Sequence, residues 1–542
     1  MKHAGQNVFE NTDSLKIKRS GFDLSHEYKT THDFFDIIPI SVVEAIPGDV
    51  HKIGVSGVLR FQPMLAPILH RIKMRFNSFF VPYRLLDVNW ENFITRNPDG
   101  DGVVALPVFD PDDYGTPANV YAAQSLWDYF TYPLLKPAAA ACPLDYPRRA
   151  YFKIFNDFFR DENLETEIDY LDTATNSFSI LKSAWARDLY TSCLPFRQKG
   201  TSPALPVFGS TSVTFTIPFA DMSSYNQDQA RIPAFRNGDG SGNMGLVSGT
   251  VGAAASGPVI WQNSPASSTS YWDVVSNNNT IDGTSMTSGD IADLRLAWQV
   301  QAWMERNARS GSRYVEFLQN QFGTSPIEEI LQRPAFIGGL TSDVLISEVL
   351  QTGEAGTTPQ GTMAGHGVGI ANGMIGSYRV KEFGLIMTFA TVVPTPAYMQ
   401  GIDRAWLRRT TYDFPFPIFA GLSEQEVYNA EVYTLDQTAD PTGATNFQPF
   451  GYTGRYNELR YQPNKVSSQM RTVFDYWHLA RKFASAPALN AAFIRPNAAE
   501  ITELKRIFAV PSEPGLICSY GINLQSYRPI PYMAVPSSLG GL

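Results

Sequence analysis

The chain has 542 residues and a formal net charge of −9, with 44% hydrophobic, 13% aromatic and only 18% charged residues. This length permits two to four domains, or one β-rich domain with large insertions. The acidic balance excludes a protein that coats a polyanion with its whole surface, so any nucleic-acid contact must be local. Few charges and many aromatics, with 37 Pro and 41 Gly, favour short strands, long ordered loops and burial against other protein surfaces.

Residues 1–30 are interpreted as an N-terminal arm. Their basic side chains include Lys2, Lys16, Lys18 and Arg19, which stand among polar residues. A solvated terminal arm is the simpler interpretation. The alternative is an inward-facing arm whose basic side chains contact DNA phosphates. These four residues are therefore the candidates for DNA contact.

Short strands follow the arm, because apolar residues alternate with polar ones or gather in brief runs between turn formers. Ile72, Met74 and Phe76, for example, alternate with Lys73 and Arg75. Strands are predicted at 34–40, 42–46, 72–76, 213–217, 344–350, 380–393, 430–435, 505–510 and 516–524. Strands and helices do not alternate as a parallel sheet requires. The pattern predicts an antiparallel sandwich with long inter-strand insertions.

Helices are predicted within these insertions. Apolar residues recur at helical spacing in 148–160 and 291–309. Ser423 and Glu426 have the spacing of a capping box that opens a short helix, and 473–483 is predicted as another helix. The aromatic faces of these segments favour the core or a subunit interface over a cofactor site.

Residues 223–290 differ in composition from the rest of the chain. They are rich in Ser, Gly, Asn and Thr, yet they include Trp261, Tyr271 and Trp272. Disordered segments usually contain more charge and fewer aromatics. We interpret the segment as an outward surface insertion that separates two parts of the β core, residues 31–222 and 291–542.

Motifs that would indicate catalysis, a cofactor or a metal lack their required context. A GxGxxG match at 240–245 lies within the Gly/Ser-rich segment, without the flanking strand and helix of a dinucleotide site. Residues 97–102 match the start of a calcium loop, but Val108 stands where the loop needs Glu. The cysteines Cys142, Cys193 and Cys518 indicate neither a disulfide framework nor a zinc module. A Cys–His dyad formed by residues distant in sequence stays open. We predict no catalytic residue, no cofactor and no metal ligand.

Targeting and membrane signals are also missing from the sequence. No apolar stretch follows the N-terminal charges, so a secretory signal is not predicted. The longest apolar run, at 383–393, is too short to span a bilayer. The chain is expected to be made in a reducing cytoplasm without membrane insertion.

Beyond these patterns, a series of short phrases resembles the major capsid proteins of the Microviridae, in particular the gokushovirus type. In chain order they are RSGFDLSH at 19–26, IPI at 38–40, PGD at 47–49, FFVP at 79–82, NDFFRDENL at 156–164, YTSCLP at 190–195, ERNAR at 305–309, WHLA at 477–480 and RPIP at 528–531. Each phrase is weak alone, but their common order covers nearly the whole chain. Residues 223–290 and 496–515 share little with the family, and Tyr83 replaces an expected Asn.

The resemblance implies a mainly β, single jelly-roll subunit with no enzymatic activity. It would assemble with itself into a small icosahedral shell around a circular single-stranded DNA genome of a bacteriophage. Further implied partners are other phage structural or scaffolding proteins and a host cell-surface receptor, which the 223–290 insertion would contact. The protein would be assembled in the host cytoplasm and reside in the virion. Weaker candidates for DNA contact are Arg148 with Arg149 and Arg408 with Arg409.

Two other classes remain open from the residues alone. A β-sandwich lectin or carbohydrate-active enzyme would also be long, aromatic and acidic, and the enzyme would need two carboxylates in one cleft. A phage spike or receptor-binding protein would form trimers instead of a shell. The sequence shows neither coiled-coil heptads nor the internal repeats expected of such a trimer.

Overall fold

The computed structural model describes residues 19–96, 105–109, 120–171, 179–203, 291–311, 313–327, 330–350 and 363–533. The chain divides into one unit of residues 1–201 and 303–542 and a second of residues 202–302. Every strand of the described chain belongs to the first unit. The described part of the second unit consists of 202–203 and 291–302. The predicted divisions at residues 30, 222 and 290 stay predictions.

The strands of the described residues are numbered in chain order. They are β1 (Ser20–Asp23), β2 (His26–His32), β3 (Ile38–Ala45), β4 (Val50–Phe61), β5 (Ile72–Pro82), β6 (Ala335–Leu350), β7 (Met363–Arg379), β8 (Gly384–Pro394), β9 (Ala397–Tyr398), β10 (Glu424–Tyr428), β11 (Pro449–Gly454), β12 (Asn464–Lys465) and β13 (Leu516–Arg528).

Nine of these strands form one antiparallel sheet. Its order is β1-β13-β4-β7-β6-β5-β8-β3, and β2 pairs with the same edge of β13 as β1 does. Most neighbouring strands therefore join early and late parts of the chain, as when Val50 to Phe61 pair with Leu516 to Tyr527. The sheet curls around one core in the manner of a jelly roll. The predicted fold class, mainly β and antiparallel with long helical insertions, is confirmed.

The core of the sheet forms because apolar side chains alternate along its strands and point to one face. In β13 the inward residues are Leu516, Cys518, Tyr520, Ile522 and Leu524, each at most 4% exposed. Strand β8 differs, since all of its residues are buried. Its Ile386 and Ala390 join the sheet core, whereas Met387 and Phe389 join a second apolar cluster on the opposite face.

Helical segments within residues 90–159 supply the layer that covers this opposite face. The helices of the described chain are α1 (Trp90–Thr95), α2 (Leu126–Tyr129), α3 (Tyr146–Ile154), α4 (Ile291–Ser310), α5 (Tyr314–Phe322), α6 (Arg404–Leu407), α7 (Asn429–Val432), α8 (Ala491–Ile494) and α9 (Ala498–Leu504). Helix α3 continues as a π-helical turn over Phe155–Phe159. The predicted helices at 148–160 and 291–309 are confirmed.

Helix α3 is tied to the sheet by polar as well as apolar contacts. The Tyr151 hydroxyl donates to the Ile37 carbonyl at 3.1 Å and accepts from the Leu181 amide at 2.9 Å. Its ring packs against Phe389 of β8, with centroids 5.8 Å apart. Because both faces of β8 are covered, this part of the sheet is interior to the subunit.

Strand β7 escaped prediction from the sequence because glycine is frequent in it. A Cβ on Gly365 would lie 2.4 Å from the Ala66 carbonyl oxygen, and one on Gly367 would lie 2.7 Å from the Phe61 ring. These positions therefore require glycine for close approach, although glycine weakens the sequence signal of a strand.

Two smaller pairings build the surface between residues 397 and 465. Strands β10 and β11 form an antiparallel hairpin, and β9 pairs in parallel with β12. A third apolar cluster underlies them, with Tyr190, Cys193, Tyr398, Val427, Val432 and Phe450 among its members.

Four local predictions were wrong. Residues 424–428, where a capping box suggested a helix, form β10. Of the helix predicted at 473–483 only a 3-10 turn at Asp475–Trp477 is present. The strands predicted at 430–435 and 505–510 contain α7 and a 3-10 turn at Lys505–Ile507 instead. Short apolar runs fit either periodicity, so tertiary packing decided them. The strand predicted at 213–217 lies outside the described residues.

Candidate assembly surface and nucleic-acid contacts

An exposed apolar loop connects β9 to β10 over residues 402–422, and we call it the aromatic loop. Ile418 exposes 83% of its surface and Trp406 exposes 74%. The other exposed apolar side chains of the loop are Ile402, Tyr412, Phe414, Phe416 and Leu422. Single exposed apolar residues are ordinary, but a concentration of them indicates a contact surface for another protein.

The aromatic loop is held in place by polar contacts beneath it. The Phe416 amide donates to the Tyr456 hydroxyl at 3.1 Å. The Asp413 carboxylate accepts from the amides of Thr410 and Arg409, at 2.7 and 2.9 Å, and these bonds lower the pKa of Asp413. Because the loop is already fixed, little ordering entropy would oppose association through it.

A second apolar surface lies on the outward face of the sheet, and we call it the sheet face. Val58 of β4 stands opposite Ile370 of β7, and both are exposed. The neighbouring row runs from Ile517 through Arg60 and Val368 to Leu345. Four strands therefore contribute exposed apolar side chains to this face, with Arg60 among them, and the face is a further candidate for subunit contact.

Arg19 is the DNA-contact candidate that lies within the described residues. It directly precedes β1 and is exposed, with its guanidinium beside Gly48. Arg528 lies at the same end of the sheet, 3.4 Å from Asp49, and Arg379 stands opposite Val50. The structure therefore places Arg19 at a basic end of the sheet. Lys2, Lys16 and Lys18 lie outside the described residues.

The weaker candidates are less available to DNA. Arg148 has no exposed side-chain surface and forms two hydrogen bonds with Asp145, each 2.6 Å long. The prediction that Arg148 contacts DNA is therefore wrong for the folded subunit. Arg149 also pairs with Asp145, at 2.8 Å, and Arg408 lies 3.6 Å from Glu458. Arg409 is exposed.

The fold creates a Ser–His–Asp arrangement that the sequence did not reveal. The Ser526 hydroxyl lies 2.8 Å from His51 Nδ1, and His51 Nε2 lies 3.2 Å from Asp49. All three side chains are buried, so a substrate cannot reach them. Burial lowers the pKa of His51, although Asp49 opposes the shift. The arrangement joins β4 to β13 and the turn before β4.

A Cys–His pair also forms from residues distant in sequence. The Cys518 thiol lies 3.4 Å from His32 Nε2, which also contacts the Tyr520 hydroxyl at 2.9 Å. These residues are buried between β2 and β13. Cys193 is buried too, and desolvation raises the pKa of its thiol. Buried thiols of this kind are structural in character.

Within the described ranges, no group of three or more His, Cys, Asp or Glu side chains could hold a metal ion. No helix in those ranges is long and apolar enough to cross a membrane. The calcium-loop match at 97–102 and the glycine-rich match at 240–245 lie outside the described residues.

Comparison with known proteins shows the family to which the chain belongs. A family model described as "Capsid protein (F protein)" matches residues 10–538. The chain belongs to this family of phage capsid proteins. Capsid protein VP1 of Chlamydia phage 1 is 32% identical over 589 residues, covering 98% of this chain and 97% of its own. VP1 of Bdellovibrio phage phiMH2K is 32% identical, covering 99% and 98%, and VP1 of Spiroplasma virus 4 is 28% identical, covering 96% and 95%.

Membership of this capsid family fixes the class of function. The resemblance to gokushovirus capsid proteins of the Microviridae is confirmed. The protein is a structural component of the virion, and it is not an enzyme. A capsid protein assembles with copies of itself, which is the context in which the aromatic loop and the sheet face are understood.

Proposed function

We propose that the chain assembles into a small icosahedral shell that encloses a circular single-stranded DNA genome of a bacteriophage. The observation that carries the proposal is the capsid family match over residues 10–538. The preformed, exposed aromatic loop supports it, because a shell subunit must bury apolar surface against identical neighbours.

Electron microscopy of the purified protein tests the shell. We expect uniform small icosahedral particles when the chain is expressed alone or together with its phage's scaffolding proteins and DNA. Ile418→Asp should reduce particle yield strongly while leaving the melting temperature of the subunit unchanged. Val88→Asp, at an equally exposed apolar residue outside the two surfaces, is the matched control. A monodisperse monomer or trimer under all conditions would contradict the proposal.

We propose further that the N-terminal basic residues contact the packaged DNA. The support is that Arg19 lies at the same end of the sheet as Arg528 and Arg379, which makes the root of the arm basic within an acidic protein. Phosphate contacts are electrostatic and therefore weaken with salt. At the same end of the sheet, Arg528 lies 3.4 Å from the buried Asp49 and donates to the Glu44 carbonyl at 2.6 Å.

Replacing Lys2, Lys16, Lys18 and Arg19 by Ala tests the arm. We expect particles of normal shape that contain less DNA, and a shallower salt dependence of DNA retention. The control replaces four exposed lysines outside the arm, Lys52, Lys136, Lys199 and Lys381. Equal DNA loss in both variants would show that total charge, and not the arm, determines retention.

The third proposal assigns host attachment to residues 223–290, which lie outside the described residues. It rests on their composition, which combines few charges with several aromatic residues. Deleting them should preserve particle assembly and abolish adsorption to host cells that carry the receptor. Loss of soluble subunit, or normal adsorption of the deleted particle, would contradict the assignment.

A further inference from the structure

An arginine-lined cavity of about 440 Å³ lies at the turns that surround the β10–β11 hairpin. Six arginines and four carboxylates line it, which leaves an excess of positive charge in a protein of net charge −9. The arginines are Arg160, Arg187, Arg309, Arg313, Arg455 and Arg460. A smaller hollow of about 260 Å³ shares Arg187, Ser192, Asn457 and Arg460 with it.

Three of the arginines already form ion pairs at one end of the cavity, where two of them share one carboxylate. Arg160 and Arg313 both approach Glu162, at 3.8 and 3.1 Å. Arg309 pairs with Glu424, whose side chain is almost completely buried. These pairs stabilise the wall of the cavity and leave little charge for a ligand.

The other three arginines have no carboxylate partner among the described residues. Arg187 is exposed. Arg460 donates to the Asn457 side chain at 2.9 Å, a neutral acceptor. The Nε atom of Arg455 is buried and makes no hydrogen bond within the described chain. A guanidinium that is partly desolvated and lacks a carboxylate partner is prepared to bind an oxyanion.

Two rigid turns hold these arginines in place. The Asp188 carboxylate accepts from the amides of Tyr190 and Thr191, at 2.9 and 2.7 Å, and so fixes the turn between Arg187 and Ser192. At the end of β11, Tyr456 has a positive φ of 63°, and the Asn457 side chain donates to Thr453 at 2.8 Å. The second turn therefore separates Arg455 from Arg460 while both face the same cavity.

Aromatic side chains flank the three arginines that lack a carboxylate partner. Tyr461 follows Arg460, is 40% exposed and lines the smaller hollow. The Tyr412 carbonyl lies 3.5 Å from the Arg455 guanidinium, and its ring is exposed on the aromatic loop. Arginine next to exposed aromatic rings is the combination that binds phosphates and stacks unpaired bases.

We propose that Arg187, Arg455 and Arg460 bind a phosphodiester group of single-stranded nucleic acid, and that Tyr461 stacks on an adjacent base. The site rests on the proposed function, because it gives the packaged strand a binding site distinct from the N-terminal arm. An acidic peptide could pair with the same arginines, but it would gain nothing from the Tyr461 ring.

Binding of a short fluorescein-labelled oligothymidylate to the purified full-length subunit tests the site. The variant Arg187→Gln/Arg455→Gln/Arg460→Gln should bind roughly tenfold more weakly, with a salt slope lower by about 0.7 for each phosphate that the variant no longer neutralises. Arg197→Gln, an exposed arginine already paired with Glu426 at 2.9 Å, is the matched control and should bind normally. Arg460→Gln alone, which removes one exposed side chain, gives the same test if the triple variant does not fold.

Tyr461 distinguishes nucleic acid from an acidic peptide. Tyr461→Leu should weaken oligothymidylate binding by at least about fivefold, and Tyr461→Phe should restore it, because stacking needs only the ring. Polyglutamate should compete poorly and should not respond to Tyr461→Leu.

Normal binding by the triple variant, an equal loss in Arg197→Gln, or stronger binding of polyglutamate would each overturn the site. If the subunit still forms particles, any of these three results would leave the shell proposal intact. Failure of every variant and of the unmodified protein to form particles would count against the shell instead.

Discussion

Arg148 and Asp145 form an ion pair in which neither side chain is exposed. Removing one partner of a buried pair leaves a charge without compensation. Asp145 also pairs with Arg149, so the informative change is at Asp145, whose removal leaves the buried Arg148 guanidinium without this carboxylate. Asp145→Leu should therefore lower the free energy of unfolding by about 3–5 kcal/mol, measured by urea denaturation of the unassembled subunit. The double variant Asp145→Leu/Arg148→Leu should recover much of this loss. A double variant less stable than Asp145→Leu would contradict the explanation.

Glu431 gives the subunit a specific pH dependence. Burial raises the pKa of Glu431 from 4.5 to about 7, although Arg404 lies 3.0 Å away and opposes the shift. The folded protein therefore holds this proton more tightly than the unfolded chain does. The protonated Glu431 carboxyl therefore contributes its full stabilisation below about pH 4.5, and this contribution is lost as the pH rises through about 7.

Glu431→Gln should remove this pH dependence, because glutamine does not ionise and can still accept from the Tyr428 amide, as Glu431 does at 3.0 Å. The measurement is the melting temperature between pH 4.5 and 7.5, a range set by the two pKa values of the carboxyl. Glu426→Gln, at a half-exposed carboxylate, is the control. An unchanged pH profile in Glu431→Gln would show that another group is responsible.

At the scale of the elements, β8 is the strand on which the helical layer and the sheet core meet. Met387 of β8 is fully buried, and its cross-strand neighbour Val42 of β3 is 37% exposed. Met387→Ala should lower the free energy of unfolding by about 2–5 kcal/mol. Val42→Ala should cost under about 1 kcal/mol because little surface is buried there. Equal losses at both positions would show that the helical layer does not pack as described.

The predictable and unpredictable elements differ in a physical way. Strands β5 and β13 were predicted because, over the predicted residues, one face of each strand is more buried than the other. Apolar and polar residues therefore alternate along the sequence. Strand β7 was missed because the close approach of its neighbours demands glycine. The segment 473–483 has helical periodicity but is fixed by tertiary contacts, such as the 2.8 Å bond from Arg506 to the His478 carbonyl.

The residues proposed to contact nucleic acid show the same division. Arg19 could be selected from the sequence because it ends a run of basic residues in a terminal arm. Arg187 and Arg460 could not, because only the meeting of two distant turns places them in one cavity. The burial of Arg148 could not be predicted either, because two adjacent arginines look the same in a sequence whether they lie on the surface or in the core.

At the scale of the whole molecule, assembly and DNA retention should respond oppositely to salt. The aromatic loop and the sheet face are apolar, so contacts through them gain or keep strength as salt rises. Contacts from arginine and lysine to phosphate weaken, since the Debye length falls from about 10 Å at 0.1 M to about 3 Å at 1 M. Raising the salt should release bound oligonucleotide while light scattering still detects particles. Dissociation of the particles before the DNA is released would contradict this division.

Strand β13 holds the beginning and the end of the described chain in one sheet. It pairs with β4 on one edge and with β1 and β2 on the other, and His32 and Tyr520, which it brings into contact, are 488 residues apart. During translation, β4 therefore keeps an open edge until residues 516–528 have left the ribosome. Ile517 of the sheet face belongs to this same late strand. A nascent chain thus cannot offer its complete sheet face to other copies before β13 has been made, and the order of synthesis itself delays association through that face.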